Sequence, residues 1–457
     1  MRGVAGEYPL DAATTFAVGM ALANWVRDHP AAASRESGPE VVIGPEVVIG
    51  PEVVIGPEVV IGMDTRESGP SIAGYVAGGL ASRGVKARFA GLITTPGIAH
   101  VTRTGPFAAG VMISASHNPY RDNGIKIIDH SGFKLPDDDE HALERDIFAF
   151  LEAGVHAEPT RLEVDEGLDS EYIEHLAATL PAGLSGMRIV VDAAHGAASF
   201  LAPALFERLG AEIECIGCEP DGRNINLNCG SLHLEGLRER VLATSADIGV
   251  AFDGDADRAL FVSHSGKIID GDAVMLVTAL RLQAAGRLTE VIATVMSNLG
   301  LERALRRHGI GLVRTPVGDK YVLQEMLRRK APLGGEQSGH IIFRDYATTG
   351  DGLLTALRVF EAVRESGQDL DALTRELEIY PQLLVNVRLK NKRPLEDLVA
   401  ANREIRVAEA EFGDAGRILV RFSGTEPLAR VMVEGPDSKR VEHFANTIAA
   451  AIQAELG

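Results

Sequence analysis

The chain has 457 residues, 46% apolar and 24% charged, and carries a formal net charge of −19. At about 100–150 residues per domain, that length predicts three or four domains of ordinary globular composition. The acidic balance excludes nucleic-acid binding through a general basic surface, and an anionic substrate requires a local Arg and Lys cluster.

In chain order, MRGVAGEYPL lacks the apolar stretch of a signal peptide. Val18, Leu22 and Trp25 recur at i, i+4 and i+7 and predict a helix that Pro30 stops. The hexad G-P-E-V-V-I then appears four times without a substitution over 38–61. Written I-G-P-E-V-V, it fits a left-handed β-helix, but such a fold needs about three hexads per coil and several stacked coils. The prolines exclude a helix and argue against one long strand. The expectation is a tandem insertion, looped out, in which one copy of PEVVIG forms a short buried strand running into MDTRESG.

Ile72, Val76 and Leu80 mark a second helix, ended by Gly84. Short apolar runs follow, RFAG, AAGVMI, RIVVDAA, IGVAF, EVIATVM and HIIF, many separated by helical stretches. This alternation predicts α/β domains with mixed, largely parallel sheets. After about residue 370 the order changes to strands QLLVNVRL, RILVRF and RVMVEG before a final helix, a smaller C-terminal α+β domain. The expected boundaries are 1–157, 158–246, 247–368 and 369–457. No run of about 18 apolar residues exists, so no membrane span is expected. Three cysteines form no disulfide framework, and a reducing cytoplasm is the simplest location. Cys215, Cys218, Cys229 and His233 match a Cys₃His zinc set, but Cys215 reads as part of a strand and nothing compact closes the set, so buried or idle thiols are preferred.

Four loops carry chemistry. In ISASHNPYRDNGIKI, Ser114 to Pro119 follow an apolar run, and the carboxyl ends of strands in open α/β sheets are where ligands bind. Ser116 is a candidate nucleophile with His117 or Lys126 to handle protons; an Asn-Pro turn with a hydroxyl cap would read the same. In GVAFDGDADRALFV, Asp253, Asp255 and Asp257 alternate between strands. Carboxylates this close repel unless a hard cation such as Mg²⁺ joins them. A calcium EF-hand fails, because Arg258 and His264 stand where Gly and Glu are required. Arg258 suits an anionic ligand beside the metal. In PLGGEQSGHIIF, Glu336, Ser338 and His340 alternate and are expected on one side of an extended segment, to meet sugar hydroxyls; a turn is the competing possibility. In RFSGTEPLARVMVEG, Arg421, Ser423, Gly424, Thr425 and Arg430 suit a phosphate dianion.

Together these motifs, ISASHNP, DGDADR, GEQSGH and SGTEPLARVMVEG in this order, resemble the α-D-phosphohexomutase superfamily over nearly the whole chain except the repeat. CEPDGRNINLNCGS and TPVGDKYV resemble its bacterial branch that acts on glucosamine phosphate. The resemblance implies three similar α/β domains and a smaller C-terminal domain around a central cleft. It implies that Ser116 is carried as phosphoserine, and that its phosphate with Asp253, Asp255 and Asp257 holds one Mg²⁺. It places His117 and Lys126 near the transferred phosphoryl group, Glu336 and Ser338 on sugar hydroxyls, and the Arg421 to Arg430 set on the non-reacting phosphate. It further implies a hexose 1,6-bisphosphate activator, a kinase or bisphosphate donor for the first phosphorylation, and a homodimer as one expected assembly. Glucose- and mannose-phosphate mutases of the same superfamily, a non-catalytic sugar-phosphate binder and a phosphoserine-dependent phosphatase are the alternatives. Family members usually begin with a strand and a loop F-G-T-D-G-I-R-G. Here only Met1-Arg2-Gly3 stands in its place, so the first strand is expected to be missing and a sheet edge unpaired. Arg2 matches a residue expected near the phosphoserine.

Overall fold

A computed structural model of the chain describes residues 1–29, 57–391, 393–423 and 427–457. The first unit contains β1 (Arg2–Val4), α1 (Ala12–Asp28), β2 (Glu58–Met63), α2 (Gly69–Ser82), β3 (Lys86–Leu92), α3 (Thr95–Thr104), β4 (Phe107–Ile113), β5 (Asp122–Asp129) and α4 (Asp137–Ala153). Its sheet has the order β1-β5-β4-β2-β3, with β2 parallel to both β3 and β4. β2 is the last copy of the hexad. Val59, Val60 and Ile61 are wholly buried, as a central strand flanked by helices requires. The insertion therefore ends before 61, and its first three copies lie outside the described residues. Helices α1 and α2 meet backbone to backbone: a Cβ on Gly19 would stand 2.1 Å from the Val76 carbonyl, and one on Gly79 the same distance from that of Phe16.

The expected open edge is closed. Arg2, Gly3 and Val4 pair antiparallel with Gly124, Asn123 and Asp122. The Met1 amino group donates to the Ile125 carbonyl at 3.1 Å. Three residues suffice because backbone pairing asks only for extended geometry, not for an apolar run.

The second unit contains α5 (Gly167–Ala178), β6 (Arg188–Asp192), α6 (Ala198–Arg208), β7 (Glu212–Ile216), α7 (Glu235–Thr244), β8 (Ile248–Phe252), β9 (Ala259–Ser263) and β10 (Ile268–Ile269), in the sheet order β10-β9-β8-β6-β7. The expected boundary at 246 is wrong, because it cuts this sheet. β8 pairs parallel with β6, so the aspartate loop between β8 and β9 belongs to the second unit, not the third. Ser245, in the left-handed conformation that ends α7, is a helix stop within the unit and not a domain linker.

The third unit contains α8 (Gly271–Ala284), β11 (Glu290–Thr294), α9 (Leu299–Arg307), β12 (Gly311–Thr315), α10 (Asp319–Arg329), β13 (Leu333–Gly335), β14 (Ile341–Phe343) and α11 (Gly352–Ser366), with sheet order β12-β11-β13-β14. The short α12 (Leu370–Leu373) leads to the fourth unit. There β15 (Gln382–Arg388), β16 (Arg417–Phe422) and β17 (Leu428–Glu434) form an antiparallel sheet in the order β15-β17-β16, packed on α13 (Val399–Phe412) and α14 (Ser438–Leu456). Three mixed α/β units and one smaller α+β unit match the expected architecture. No helix of the described residues is long and apolar enough to cross a membrane.

Candidate active site

Strand β4 delivers Ser116 to its carboxyl end in a strained turn. Ser116 has φ 52°, a left-handed conformation that costs a non-glycine residue about 1–3 kcal/mol unless its surroundings hold it. The surroundings are specific. The Ser116 N–H donates to Ser114 Oγ at 2.9 Å. Buried Arg66 donates from Nη2 to the carbonyls of Ser116 (3.1 Å) and Asn118 (2.6 Å). Asn226, from the second unit, donates from Nδ2 to the same two carbonyls at 2.9 and 3.1 Å. Arg66 is itself paired with fully buried Asp64. Gly254 must lack a side chain, since a Cβ there would lie 2.5 Å from the Ser116 carbonyl. Arg2 reaches Asn118 Oδ1 at 3.3 Å, beside the loop as expected.

The hydroxyl of Ser116 donates to Asp253 Oδ2 at 2.5 Å and lies 3.3 Å from His117 Nδ1. Asp253, Asp255 and Asp257 are buried, and one oxygen of each lies within 4.8 Å of the others. Burial, then the charges of Asp257 and Asp255, push the Asp253 carboxyl well above its usual range. Burial opposes the charge on Asp257 too, yet His340 and Lys126 hold it well below that range. Lys126 is ion-paired with Asp255 and stands 3.9 Å from Asp257. Burial disfavours its charge, but Asp255 and Asp257 raise its pKa, so it is a fixed ammonium. Thr95 Oγ1 also donates to Asp255. Asp255 Oδ1 and Asp257 Oδ1 are buried without a hydrogen-bond partner. Orphaned carboxylate oxygens in an all-oxygen cluster fit a hard divalent cation. Burial, then the Arg258 charge, lowers the His117 pKa, so its imidazole is neutral near pH 7.

Glu336 to His340 is not an extended segment. The Glu336 N–H donates to the His340 carbonyl at 3.0 Å, and Gly339 has φ 92°, which closes a tight turn between β13 and β14. Alternation along the sequence therefore does not put the three side chains on one side. Two glycines and a left-handed third supplied the turn signal. Glu336 Oε1 accepts the Gly318 N–H at 3.1 Å, tying this turn to the start of α10. Ser338 Oγ is buried without a partner. His340 Nε2 lies 3.1 Å from the Gly350 N–H, and its Nδ1 stands 3.6 Å from Asp257 Oδ2. His340 thus faces the aspartate cluster. Arg258 stands 3.8 Å from Asp257. A cavity of about 660 Å³ opens beside Lys126 between the first and third units, lined also by Thr95, Lys134, Asp319 and Lys320.

On the fourth unit, Arg421 of β16 and Arg430 of β17 are direct register partners. Directly opposed side chains share a face, so two like charges stand together. Partial burial, then the Arg430 charge, lowers the Arg421 pKa. Such a pair is suited to a dianion. Ser423 is buried directly after β16; Gly424 and Thr425 lie outside the described residues.

The structure thus joins Ser116, His117, Lys126, Asp253, Asp255, Asp257, Arg258 and His340 in one cluster. Arg66, Asn226 and Thr95 were missed as functional residues by motif reasoning. They lie in the stretches MDTRESG, CEPDGRNINLNCGS and LITTPG, and only the first two carried any signal. Among the described residues the groups able to hold a metal are the aspartate triad and His264 with Asp369 and Asp371; neither contains a cysteine.

Four family profiles match the chain in order. Their descriptions are phosphoglucomutase/phosphomannomutase alpha/beta/alpha domains I, II and III and the C-terminal domain, over residues 48–153, 170–266, 270–380 and 384–451. A phosphoglucosamine mutase of Solibacter usitatus is 56% identical over all of this chain and 98% of its own length. One from Myxococcus xanthus is 42% identical over 100% and 96%. Among solved structures, a phosphoglucomutase/phosphomannomutase family protein of Burkholderia thailandensis superposes with a TM-score of 0.79 at 25% identity, covering 99% of this chain and 96% of that one. With every domain of one family matched in register and full-length relatives of high identity, the chain belongs to the phosphoglucomutase/phosphomannomutase family, within the α-D-phosphohexomutase superfamily.

Proposed function

We propose that the chain interconverts glucosamine 6-phosphate and glucosamine 1-phosphate through a phosphorylated Ser116. The observation that carries the chemistry is the Ser116 hydroxyl 2.5 Å from Asp253, within a buried carboxylate cluster that Lys126 only partly neutralises. The amino sugar is favoured by full-length relatives named phosphoglucosamine mutase. In this reading Asp253, Asp255 and Asp257, with the Ser116 phosphate, hold one Mg²⁺. The ion supplies charge neutralisation for the phosphoryl group.

Phospho-Ser116 gives its phosphoryl group to O1 of glucosamine 6-phosphate. The P–O bond to serine breaks and a P–O bond to the sugar forms; the sugar hydroxyl proton passes to a nearby base, for which neutral His117 is suited, and the departing Ser116 oxygen takes up a proton to regain its hydroxyl. The resulting 1,6-bisphosphate turns end for end and returns its 6-phosphoryl group to Ser116, leaving glucosamine 1-phosphate. Lys126 and Arg258 stabilise the charge of the moving group, so catalysis is mostly positioning and electrostatics. Glu336 and Ser338 meet sugar hydroxyls. Arg421 and Arg430, with Ser423, Gly424 and Thr425, grip whichever phosphate is not reacting. A hexose 1,6-bisphosphate or a kinase supplies the first phosphoryl group, and the reaction belongs in the cytoplasm, feeding synthesis of nucleotide-activated amino sugar.

Incubation with glucose 1,6-bisphosphate and Mg²⁺ tests the phosphoserine. Peptide mass mapping is expected to find one phosphoryl group on Ser116 and none in S116A, with turnover lost in the variant. A phosphoryl group retained by S116A would sink the assignment.

A further inference from the structure

The fourth unit's sheet has two faces. The opposed residues Val385, Val431 and Val420 pack with α13 and α14, and by alternation Arg421 and Arg430 lie on the other face. Four residues along the strands, and so on the same face as these arginines, Arg417, Glu434 and Gln382 form a second row of direct register partners. The two rows stand roughly 13 Å apart at about 3.3 Å per residue. The second row grips one loop of the third unit, between β11 and α9, and each strand supplies one contact. Gln382 of β15 donates from Nε2 to the Met296 carbonyl at 3.2 Å. Arg417 of β16 donates from Nη2 to the Ser297 carbonyl at 3.0 Å. Glu434 of β17 accepts the Leu299 N–H on Oε1 at 2.8 Å. Glu434 is wholly buried, and its Oε2 accepts from Arg417 Nε at 3.0 Å and Nη2 at 2.8 Å. Its carboxylate sits at the first turn of α9, where the helix dipole favours negative charge.

We propose that Glu434 is a positioning residue for the mutase reaction: by fastening its row of the sheet to the β11–α9 loop, it fixes where the Arg421–Arg430 row presents its charge to the sugar phosphate. This role rests on the reading of Arg421 and Arg430 as the grip on the non-reacting phosphate. Both rows lie on β16 and β17, and the ladder between them is unbroken, from Arg417 opposite Glu434 through Leu419 opposite Met432 to Arg421 opposite Arg430. A tilt at the fastened end therefore displaces the arginines. A buried carboxylate suits the task, because its partners across the junction, a backbone N–H and a guanidinium, are met in one geometry only. Glu434 stands a row away from the phosphate and acts through the arginines. The grip is made in the ground state and the transition state alike, so its misplacement raises KM and leaves kcat nearly unchanged. Ser116 and the three aspartates lie on the first two units, so metal binding is expected to be indifferent to Glu434.

The test is steady-state kinetics of full-length E434Q, R421A and the double variant with glucosamine 6-phosphate, Mg²⁺ and saturating glucose 1,6-bisphosphate. E434Q keeps the volume of the side chain and removes the charge that faces Arg417. It is expected to raise KM about tenfold with kcat within about twofold of the wild type. Its Mg²⁺-induced rise in melting temperature is expected to equal that of the wild type, which a general loosening of the fold would not give. R421A is expected to raise KM by itself, and E434Q to add less than about twofold on top of it, because both changes act on one grip. Should E434Q fail to fold, Q382A is the milder change to the same row, with an expected KM rise of about threefold. A folded E434Q, or Q382A in its place, with wild-type KM while R421A raises KM would overturn the positioning role. So would an E434Q effect that multiplies undiminished onto R421A. R421A with wild-type KM would instead remove the phosphate grip itself, and the role of Glu434 with it.

Discussion

Arg66 and Asn226, from two different units of the chain, donate to the same two carbonyl oxygens, those of Ser116 and Asn118. The reactive serine is therefore held by a clamp closed from both sides, and its left-handed conformation persists without a glycine. N226A removes one side of the clamp. It is expected to cost about 1 kcal/mol of stability and to lower kcat several-fold with little change in KM. R66M is expected to cost about 3–5 kcal/mol, because it strands the buried Asp64 carboxylate. The pair D64N/R66M is expected to recover part of that loss. Urea unfolding with steady-state kinetics checks both. An N226A enzyme with wild-type kcat contradicts a positioning role.

The aspartate cluster makes a metal prediction that needs no turnover. Mg²⁺ is expected to raise the melting temperature, since a ligand at 100 times its Kd stabilises by about 2.7 kcal/mol. D255N is expected to lose most of that rise. K126M is expected to melt lower than the wild type in EDTA and to regain more than the wild type on adding Mg²⁺, because Lys126 is the counter-charge that faces Asp255. Equal Mg²⁺ shifts in wild type and D255N would place the ion elsewhere.

Asp351 joins the second and third units. It accepts the Tyr172 hydroxyl at 2.9 Å and the Leu354 N–H at 2.9 Å as the N-cap of α11. Burial raises its carboxyl from 3.8 to about 6. The folded state therefore binds this proton more tightly than the unfolded chain does. The stability it contributes is full below about pH 4 and is lost as pH rises through about 6, by about 3 kcal/mol in all. D351N carries no such term. The stability difference between variant and wild type is expected to shift in favour of D351N by about that amount between pH 4 and pH 7. A difference that stays constant with pH contradicts the raised pKa.

The hexads allow a deletion test. Removing residues 38–55 leaves Ser37 joined to Gly56, ahead of an unchanged β2 and MDTRESG loop. Shortening the connection between α1 and β2 lowers its closure entropy, and no competing copy of the strand remains. The melting temperature is expected to rise by about 1–3 °C with turnover retained. No rise would clear the repeat of any cost to stability.

Much of the site was legible because its residues are clustered along the chain. Ser116 with His117, and Asp253 with Asp255 and Asp257, each fall within one loop, so spacing alone suggested their chemistry. Arg66 and Asn226 lie 50 and 110 residues from Ser116, and only the fold reveals what they grip. The boundary near 246 failed for a similar reason. Strand β8 follows a helix and a turn, as the first strand of a new domain would, and its pairing with β6 cannot be seen locally. The Glu336 to His340 turn shows the opposite error. Period-2 spacing of Glu336, Ser338 and His340 suggests an extended segment, but the freedom of Gly339 decides the local backbone and makes it a turn.

The most direct test of the mutase assignment is turnover of the chain with Mg²⁺ and a trace of hexose 1,6-bisphosphate, with glucosamine, glucose and mannose phosphates offered side by side. A strong preference for glucosamine phosphate, abolished in S116A, is the predicted result. Folded, Ser116-phosphorylated protein that turns over none of the three, or that prefers glucose or mannose phosphate, would contradict it.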